Sequence, residues 1–516
     1  MNLLVTSRLL GLLLLVLSLM ILLIAGFSAI QLLAGGPSAN LEREAFPALL
    51  WAAAGGGTLG LILLMVGRLG AGRFGQREAL LLVATGWIVG AGLCGTPFRV
   101  WATLRCDADI AVHDFDSSVN CYFEAMSGLT TTGATILQSI GTVPRSLLLW
   151  RATTHWLGGL GIVVLFVAVL PLLGIGGRRL YRIESPGPSP EGVTPRIQDA
   201  ARVLWMIYLG LTVAEILSLK LCGMTWFDSI CHTFATLATG GFSTLDSSIA
   251  GFQSSVIHVV IIVFMILAGV NFSLYHALWR RRWRMVLRNA ELRVYLGIMV
   301  LATVIITASL LHSTPDAGAL EGEPSSTAIV LRDAAFQAVS VQTTTGFCTA
   351  DFDQWGAVAR ITLILVMFIG ASAGSTGGGI KVIRIIVAAK VMLAEVERAF
   401  RPKVVRSIKV GGEPIDPDMK VGCLAYILGI VVLFALGVGL LLMIEGPNGI
   451  DLTTAMSASA ATINNIGPGL NAVGATQNYA WFTSEAKVVL SGLMLLGRLE
   501  IFAVIVLFSP RFWQHD

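Results

Sequence analysis

Long runs of apolar residues dominate the chain, and most of them have the length of a membrane-spanning helix. About 20 consecutive apolar residues cross the hydrocarbon core of a bilayer as an α-helix. Ten such spans are predicted, at about 9–34, 46–67, 79–99, 147–174, 202–222, 255–279, 293–312, 358–395, 421–444 and 486–509. The first run is too long for the apolar core of a cleaved signal peptide, and a second run follows closely, so we expect it to be retained. The pattern therefore predicts an all-α polytopic membrane protein.

The charged residues agree with this pattern, since they make up only 13% of the chain against 55% hydrophobic residues. Basic residues cluster after even-numbered spans, and the clusters are Arg68, Arg73 and Arg77; Arg178, Arg179 and Arg182; Arg280, Arg281, Arg282, Arg284 and Arg288; and Arg398, Arg401, Lys403, Arg406 and Lys409. Basic loops stay in the cytoplasm, which places both termini there. The opposite loops carry acidic residues, which raise the local concentration of cations: Asp107, Asp109, Asp114, Asp116, Glu124, Glu321, Glu323, Asp351 and Asp353. The net charge of +4 therefore reflects membrane topology and does not indicate nucleic-acid binding.

The seven cysteines show no CxxC or Cys/His spacing that would hold a metal ion. Cys106 and Cys121 share one outer loop and could form a disulfide in an oxidising compartment, but the sequence leaves this pairing open. The other five lie in or near spans, where we expect them to be small packing residues.

Four outer segments repeat one pattern, in which a short amphipathic stretch ends in a small-polar glycine turn. The segments are FEAMSGLTTTGATIL, FATLATGGFSTLDS, FQAVSVQTTTGFCTADF and MSASAATINNIGPGL. Their central glycines are taken as Gly133, Gly240, Gly346 and Gly467, which are 107, 106 and 121 residues apart. Each glycine lies between two spans. The repeating unit is therefore a span, a re-entrant half-helix, a glycine turn and a second span.

Non-helical backbone at membrane depth leaves amide and carbonyl groups without partners unless it lines a wet cavity. Four such turns around one axis would provide this cavity, and inward carbonyl oxygens can replace the hydration shell of a cation. Glycine allows the dihedral angles that direct successive carbonyls to one side, and the C-terminal end of each half-helix favours a cation. A single T-T-G sequence is usually an ordinary turn. Four copies at nearly equal spacing predict a cation pathway.

These residues resemble the Trk/Ktr/HKT superfamily of potassium transporters, and the chain is similar to Trk-type membrane (pore) subunits over almost its whole length. Further matching segments are WRATTHWLGGLGI, NFSLYH (271–276) and GRLEIF (497–502). The resemblance implies four membrane-pore-membrane repeats around one pore, after two additional N-terminal helices. The implied units are 1–72 (N-terminal helix pair), 73–185, 186–288, 289–410 and 411–516 (pore repeats 1 to 4).

The same resemblance implies potassium uptake across the bacterial inner membrane, with the potassium ion as substrate, no cofactor and no enzymatic activity. It also implies a homodimer and a cytoplasmic nucleotide-binding regulatory subunit, a TrkA-like ring. The chain itself contains no phosphate-binding loop or dinucleotide fingerprint, so we do not expect it to bind nucleotide.

By resemblance, the backbone that coordinates potassium is Thr131, Thr132 and Gly133; Ala238, Thr239 and Gly240; Thr344, Thr345 and Gly346; and Asn465, Ile466 and Gly467. None of the four reads TVGYG, which indicates a filter shorter than that of tetrameric potassium channels. The fourth, NNIGPG, lacks threonine, which removes one hydroxyl group from the inner ring. All four central positions are glycine, whereas a serine in the first repeat marks sodium-preferring plant relatives, so potassium is the expected ion.

The eighth span is interrupted by GASAGSTGGGIKVIR (370–384). Each interior glycine costs a helix about 1 kcal/mol relative to alanine, so we expect a break here. Related proteins have a pore-obstructing intramembrane loop at this place, and we expect a mobile gate whose backbone is satisfied by water. The gate residues are Gly374, Ser375, Thr376, Gly377, Gly378, Gly379, Lys381 and Arg498.

Lys381 and Arg498 are charged residues inside apolar spans, and each costs about 2.5 to 3.5 kcal/mol on insertion scales unless it finds a partner or water. We expect Arg498 to donate to loop carbonyls and to hold the loop closed. The alternative is that Arg498 pairs with Glu500 or extends to the membrane surface.

Other functions stay open at this stage. The sequence does not distinguish a gated channel from a sodium-permeable protein or a symporter coupled to protons or sodium. GASAG also fits G-x-S-x-G, so an intramembrane hydrolase with Ser372 as nucleophile is an alternative. That chemistry needs a facing base, and His155, His258 and His276 lack a recognisable context for it. A purely structural or receptor role would have no use for four filter-like turns.

Overall fold

The computed structural model describes residues 2–35, 39–68, 75–105, 113–164, 197–313, 327–402 and 407–514. Helices form nearly all the regular structure in these ranges. The strands in them, β1 (Lys409–Val410) and β2 (Glu413–Pro414), form a small antiparallel hairpin. The predicted all-α fold class is therefore confirmed. Cys106, and with it the possible disulfide to Cys121, lies outside the described residues.

The α-helices are α1 (Leu3–Ala34), α2 (Ala39–Gly67), α3 (Gln76–Leu104), α4 (Ser118–Leu129), α5 (Arg145–Val164), α6 (Ile197–Leu221), α7 (Trp226–Leu237), α8 (Ser255–Gly269), α9 (Phe272–Trp279), α10 (Trp283–Arg288), α11 (Ala290–Ser313), α12 (Thr327–Gln342), α13 (Ala357–Met367), α14 (Val382–Phe400), α15 (Pro417–Glu445), α16 (Leu452–Ile463), α17 (Ser484–Arg498), α18 (Phe502–Ile505) and α19 (Pro510–Trp513). Short 3-10 helices occupy Asp114–Asp116, Ile140–Thr142, Ser248–Gly251, Phe352–Gln354, Gly446–Asn448, Asn471–Val473 and Val506–Phe508.

Among the described helices, six are long and apolar enough to cross a membrane, and they are α1, α2, α3, α6, α11 and α15. Two bent pairs, α8 with α9 and α17 with the segment after it, bring the number to eight. The predicted fourth span begins as α5, and its continuation lies outside the described ranges, as do Arg178, Arg179 and Arg182. The predicted eighth span consists of α13 and α14, which residues 368–381 separate as expected.

The spans predicted at 255–279 and 486–509 are wrong as continuous helices, because both bend sharply, by 95° and 111°. In the first, α8 ends at Gly269, and the side chain of Asn271 accepts from the amide of Ser273 (2.8 Å) to begin α9. In the second, Glu500 and Ile501 have positive φ angles of 56° and 59°, which end a right-handed helix. Neither break contains proline or a glycine cluster, so the apolar pattern conceals both.

Four short helices, α4, α7, α12 and α16, are the predicted half-helices, with 12, 12, 16 and 12 residues. At 1.5 Å per residue they reach about 18 to 24 Å, which is less than the ~30 Å hydrocarbon core. Their surroundings are longer helices of the same and the adjacent repeats, for example α3 and α5 around α4. Each half-helix therefore ends inside the protein.

The first two helices form an antiparallel pair that packs against α3 and α5. Glycines allow the close approach, since an added Cβ at Gly11 would lie only 2.6 Å from the carbonyl oxygen of Gly60 and 2.7 Å from the amide nitrogen of Leu64. Small residues at such crossings are typical of helix packing in membranes. Glu42 at the start of α2 accepts from the amide of Ser146 (2.8 Å) and so joins the pair to α5.

We predict that Gly11→Ala destabilises the protein by about 1 to 3 kcal/mol, because the added methyl group forces α1 and α2 apart. Gly55→Ala in α2 is the matched control, since no atom lies within 4 Å of a Cβ there and alanine favours helix by about 1 kcal/mol. The measurement is the midpoint temperature of detergent-solubilised protein, followed by size-exclusion chromatography after heating. Equal midpoints for the two variants would contradict the tight crossing.

Candidate functional site

Each half-helix is followed by the same three-residue turn. The first residue has positive φ although it is not glycine, and the third is a glycine with positive φ. The amide of the middle residue donates to the carbonyl five residues earlier, at 2.8 to 2.9 Å in every turn. Non-glycine residues rarely adopt positive φ, so four at equivalent positions indicate one shared constraint. The four turns are Thr131–Gly133, Thr239–Gly241, Thr344–Gly346 and Asn465–Gly467.

This geometry corrects the predicted register of the second repeat. The glycine with positive φ is Gly241 (78°), so Gly241 and not Gly240 corresponds to Gly133. Gly240 occupies the middle position, and Ala238 precedes the turn. The sequence has two adjacent glycines here, and only their backbone angles distinguish them. Ala238 is therefore wrong as a member of the turn.

The four turns form a closed ring. A Cβ added to the glycine of one turn would collide with the carbonyl oxygen of the middle residue of the next. This holds for Gly133 against Gly240, Gly241 against Thr345, Gly346 against Ile466, and Gly467 against Thr132. The chain thus brings together residues more than 300 positions apart, and each turn contacts both neighbours.

All four ring glycines line one open cavity, which lies between the loops that follow the turns. Asp246 and Gln477 also line it. The guanidinium group of Arg151 lines the same cavity, so charged and polar side chains surround the approach to the ring.

Buried polar side chains hold the segment after each of the first two turns. Glu124 of α4 accepts from the side chain of Thr135 (3.0 Å) and from Arg151 of α5 (2.5 Å). Arg151 also donates to the carbonyl of Ser243 (3.1 Å), whose hydroxyl contacts His232 of α7 (3.0 Å). A buried ion pair of this kind is costly to break, because either partner alone would be an uncompensated charge. The ring is therefore braced from outside by side chains of two repeats.

The interrupted segment of the eighth span lies directly against this ring. The amide of Gly378 donates to the hydroxyl of Thr344 (2.6 Å). A Cβ on Gly377 would lie 3.0 Å from the carbonyl oxygen of Thr343, and one on Gly378 would lie 2.5 Å from that of Asn464. Residues 370–381, hereafter the loop, therefore contact the third and fourth turns where the half-helices end.

Protein groups satisfy much of the loop backbone, and its residues are buried except for the half-buried Gly374. One oxygen of Glu291 accepts from the amides of Ala373 (2.8 Å) and Ile383 (3.1 Å), so it holds both ends of the loop. Protein groups therefore take part of the role that the sequence analysis assigned to water. Further bonds join it to the bend between α8 and α9: Ser372 amide to Gly269 carbonyl (3.0 Å), Thr376 hydroxyl to Ala268 carbonyl (3.1 Å), and Phe272 amide to Gly374 carbonyl (3.1 Å).

Two buried cations contact the loop. Arg498 donates to the carbonyl of Thr376 (2.9 Å) and to that of Gly158 in α5 (3.1 Å), so the expected bond between Arg498 and a loop carbonyl is present. Lys381 donates to the carbonyl of Gly377. The alternative pairing of Arg498 with Glu500 is wrong, because Glu500 pairs with Arg384 at 2.5 Å.

The remaining gate residue with a side-chain bond is Ser375, which donates to the carbonyl of Ser372 (2.6 Å). Ser372 itself lies in the irregular loop and not at the strand-to-helix turn that a serine nucleophile of the G-x-S-x-G type requires. His258 is bound to the carbonyl of Phe252 (2.9 Å), and His155 is stacked on Phe242. No described contact gives Ser372 a general base.

Sequence reasoning missed Gly241 and Glu291. The glycine pair offered two registers, and the pattern contains nothing that separates them. Glu291 is an acidic residue at the start of a span, which usually indicates a surface position, and its bonds to residues over 80 positions away have no local signal.

Comparisons with known proteins agree with this geometry. Residues 99–515 match the family model TrkH, described as a cation transport protein. The Trk system potassium uptake protein TrkH of Halomonas elongata is 42% identical over 402 residues, which cover 77% of this chain and 80% of that protein. The protein of the same name from Salmonella typhimurium is 38% identical over 460 residues, which cover 89% and 90%.

A crystal structure of the potassium transporter TrkH from Vibrio parahaemolyticus matches the fold with a TM-score of 0.83. It is 32% identical in sequence, and the match covers 100% of both chains. With a family model over most of its length and relatives well above 30% identity, the chain belongs to the TrkH family of cation transport proteins and is not an enzyme.

Proposed function

We propose that this protein takes up potassium across the bacterial inner membrane, as the multi-pass pore subunit of a Trk-type system with both termini in the cytoplasm. The observation that carries the proposal is the closed ring of four equivalent turns, each in contact with the next. The relatives described above are named potassium uptake proteins, which supports potassium as the substrate.

In this proposal the ring is the selectivity filter. Its backbone carbonyls replace water around a dehydrated potassium ion, and the C-terminal ends of α4, α7, α12 and α16 contribute partial negative charge. With the corrected register, the filter residues are Thr131, Thr132, Gly133, Thr239, Gly240, Gly241, Thr344, Thr345, Gly346, Asn465, Ile466 and Gly467.

The loop is the proposed gate. It contacts the ends of the half-helices, whereas the open cavity is lined by the ring glycines, and in this proposal it blocks the way from the filter to the other face of the membrane. Opening requires the loop to give up its contact with Thr344 and the bond from Arg498 to Thr376. The glycines at 377–379 allow the backbone to change direction without unfolding an adjacent helix.

The name Trk system, carried by the relatives, supports a complex of several subunits. We propose a homodimer of this chain bound to a cytoplasmic nucleotide-binding ring of the TrkA type, which would act on the gate from the cytoplasmic side. The proposed structural units are the N-terminal pair at 1–72 and the four pore repeats at 73–185, 186–288, 289–410 and 411–516.

Expression of the chain should restore growth on limiting potassium to cells that lack their own uptake systems. Gly133→Ser should then lower the preference for potassium over sodium about 10-fold or more, the effect typical of one added group in a tight pocket. A side chain there would push against the carbonyl of Gly240. The measurement is potassium and sodium flux into proteoliposomes under defined gradients, where a reversal potential that follows potassium alone also excludes coupling to protons or sodium.

Gly141→Ser is the control, because Gly141 is exposed and no atom lies within 4 Å of a Cβ there. It should leave growth and selectivity unchanged. Absence of potassium uptake by correctly inserted wild-type protein would refute the proposed function.

Removing Gly377–Gly379, or replacing Arg498 with alanine, should increase potassium flux at unchanged selectivity. A hydrogen bond to a charged group contributes about 1.5 to 3 kcal/mol, so loss of the bond to Thr376 should shift the closed-to-open ratio about 10-fold to 150-fold. Single-channel recording measures the open probability. Arg398→Ala is the control, because Arg398 is exposed and pairs with Glu395 on the surface of α14. Unchanged or reduced open probability in Arg498→Ala would assign Arg498 to packing.

A further inference from the structure

The four turns of the ring do not have equivalent side chains. The middle position is Thr132, Thr345 or Ile466 in three turns and Gly240 in the second. In the first and third turns, the hydroxyl group of the middle threonine also forms a hydrogen bond with that of the threonine before the turn. These pairs are Thr130 with Thr132 (2.7 Å) and Thr343 with Thr345 (2.8 Å). The second turn has Ala238 and Gly240 at these positions, so it lacks both hydroxyl groups. By composition it is the least restrained turn of the ring.

An imidazole from another repeat occupies the place of the missing side chain. A Cβ built on Gly240 would overlap the ring of His155, reaching within 2.5 Å of Cγ and 2.6 Å of Cε1. His155 belongs to α5 of the first repeat and is fully buried. The imidazole therefore packs directly against the backbone of Gly240.

The imidazole is itself held in a stack. Its ring lies 4.0 Å from the ring of Phe242 with an interplanar angle of 18°. The guanidinium carbon of Arg151 lies 3.6 Å from the centroid of the same phenyl ring, and Arg151 is fixed by its ion pair with Glu124. Neither ring nitrogen of His155 has a hydrogen-bond partner among the described residues. The ring therefore contributes shape and packing.

We propose that His155 is a specificity-determining positioning residue that serves, from the first repeat, as the missing side chain of Gly240. The inference rests on the proposed function, in which the ring selects potassium. By filling the space behind Gly240, the imidazole keeps its carbonyl oxygen against Gly133 and fixes the width of the ring at its most flexible member. Loss of the imidazole would leave a void, and the glycine pair, no longer held in one position, could adjust its carbonyl oxygens to ions of other sizes, including the smaller sodium ion.

Three variants test this role: His155→Ala, Gly240→Thr, and the two combined. His155→Ala should lower the ratio of potassium to sodium permeability about 10-fold, the lower range for one missing group in a tight pocket. Gly240→Thr alone should lose uptake, because the threonine collides with the imidazole. The combined variant replaces the imidazole with the side chain found in the first and third turns, and it should recover both uptake and a permeability ratio above that of His155→Ala. Such recovery would not follow from general damage to the fold.

His155→Phe provides an independent outcome, since it keeps a flat ring and removes the nitrogens. Its permeability ratio should lie above that of His155→Ala, and an equal ratio would overturn the role of shape. A wild-type ratio in His155→Ala, or a combined variant worse than both single variants, would also overturn the proposal. His276→Ala in α9 is the control variant, and it should keep the permeability ratio of the wild-type protein. Wild-type protein is measured in the same proteoliposomes, so a failure of potassium transport there would refute the proposed function separately.

Discussion

The need to satisfy backbone hydrogen bonds at membrane depth governs the centre of this protein. Irregular backbone is tolerated there only where protein or water provides partners. In a continuous helix the amide of Phe272 would donate to the carbonyl of Ala268, four residues earlier. Instead, Ala268 accepts from Thr376, and Phe272 donates to Gly374. The backbone groups left free at the break between α8 and α9 thus form hydrogen bonds with groups of the loop between α13 and α14. The 95° bend and the loop therefore stabilise each other.

Charge reinforces this arrangement. The loop carbonyls of Thr376 and Gly377 accept from Arg498 and Lys381, so two buried cations are held close to the underside of the ring. Like charges repel strongly where water is excluded. In the proposed mechanism, the loop therefore opposes a cation below the filter both sterically and electrostatically, while the half-helix ends favour one within the ring. Movement of the loop would relieve both effects together.

The sequence predicted the features that depend on residues within one short segment. Four glycine turns, the half-helices before them and the glycine-rich interruption all follow from composition and spacing, and the bond from Arg498 to the loop follows from the cost of a buried charge. The remaining features depend on contacts between distant segments. Gly240 and Gly241 are distinguished only by φ, the bend at Gly269 and Asn271 lies within a long apolar run, and the role of Glu291 is visible only once Ala373 and Ile383 lie beside it.

A ring built within one chain can differ at each of its four positions, unlike a ring of identical subunits. Each turn contacts the next, so a change in one must be balanced nearby. The fourth turn illustrates this, because Asn465 replaces threonine and its side-chain amide donates to the hydroxyl of Thr132 in the adjacent first turn (2.9 Å). The second turn loses its side chain at Gly240, and the space is filled from α5. Since each replacement involves a different repeat, the four turns form one interdependent unit, and the sequence of any single turn is insufficient to define its geometry.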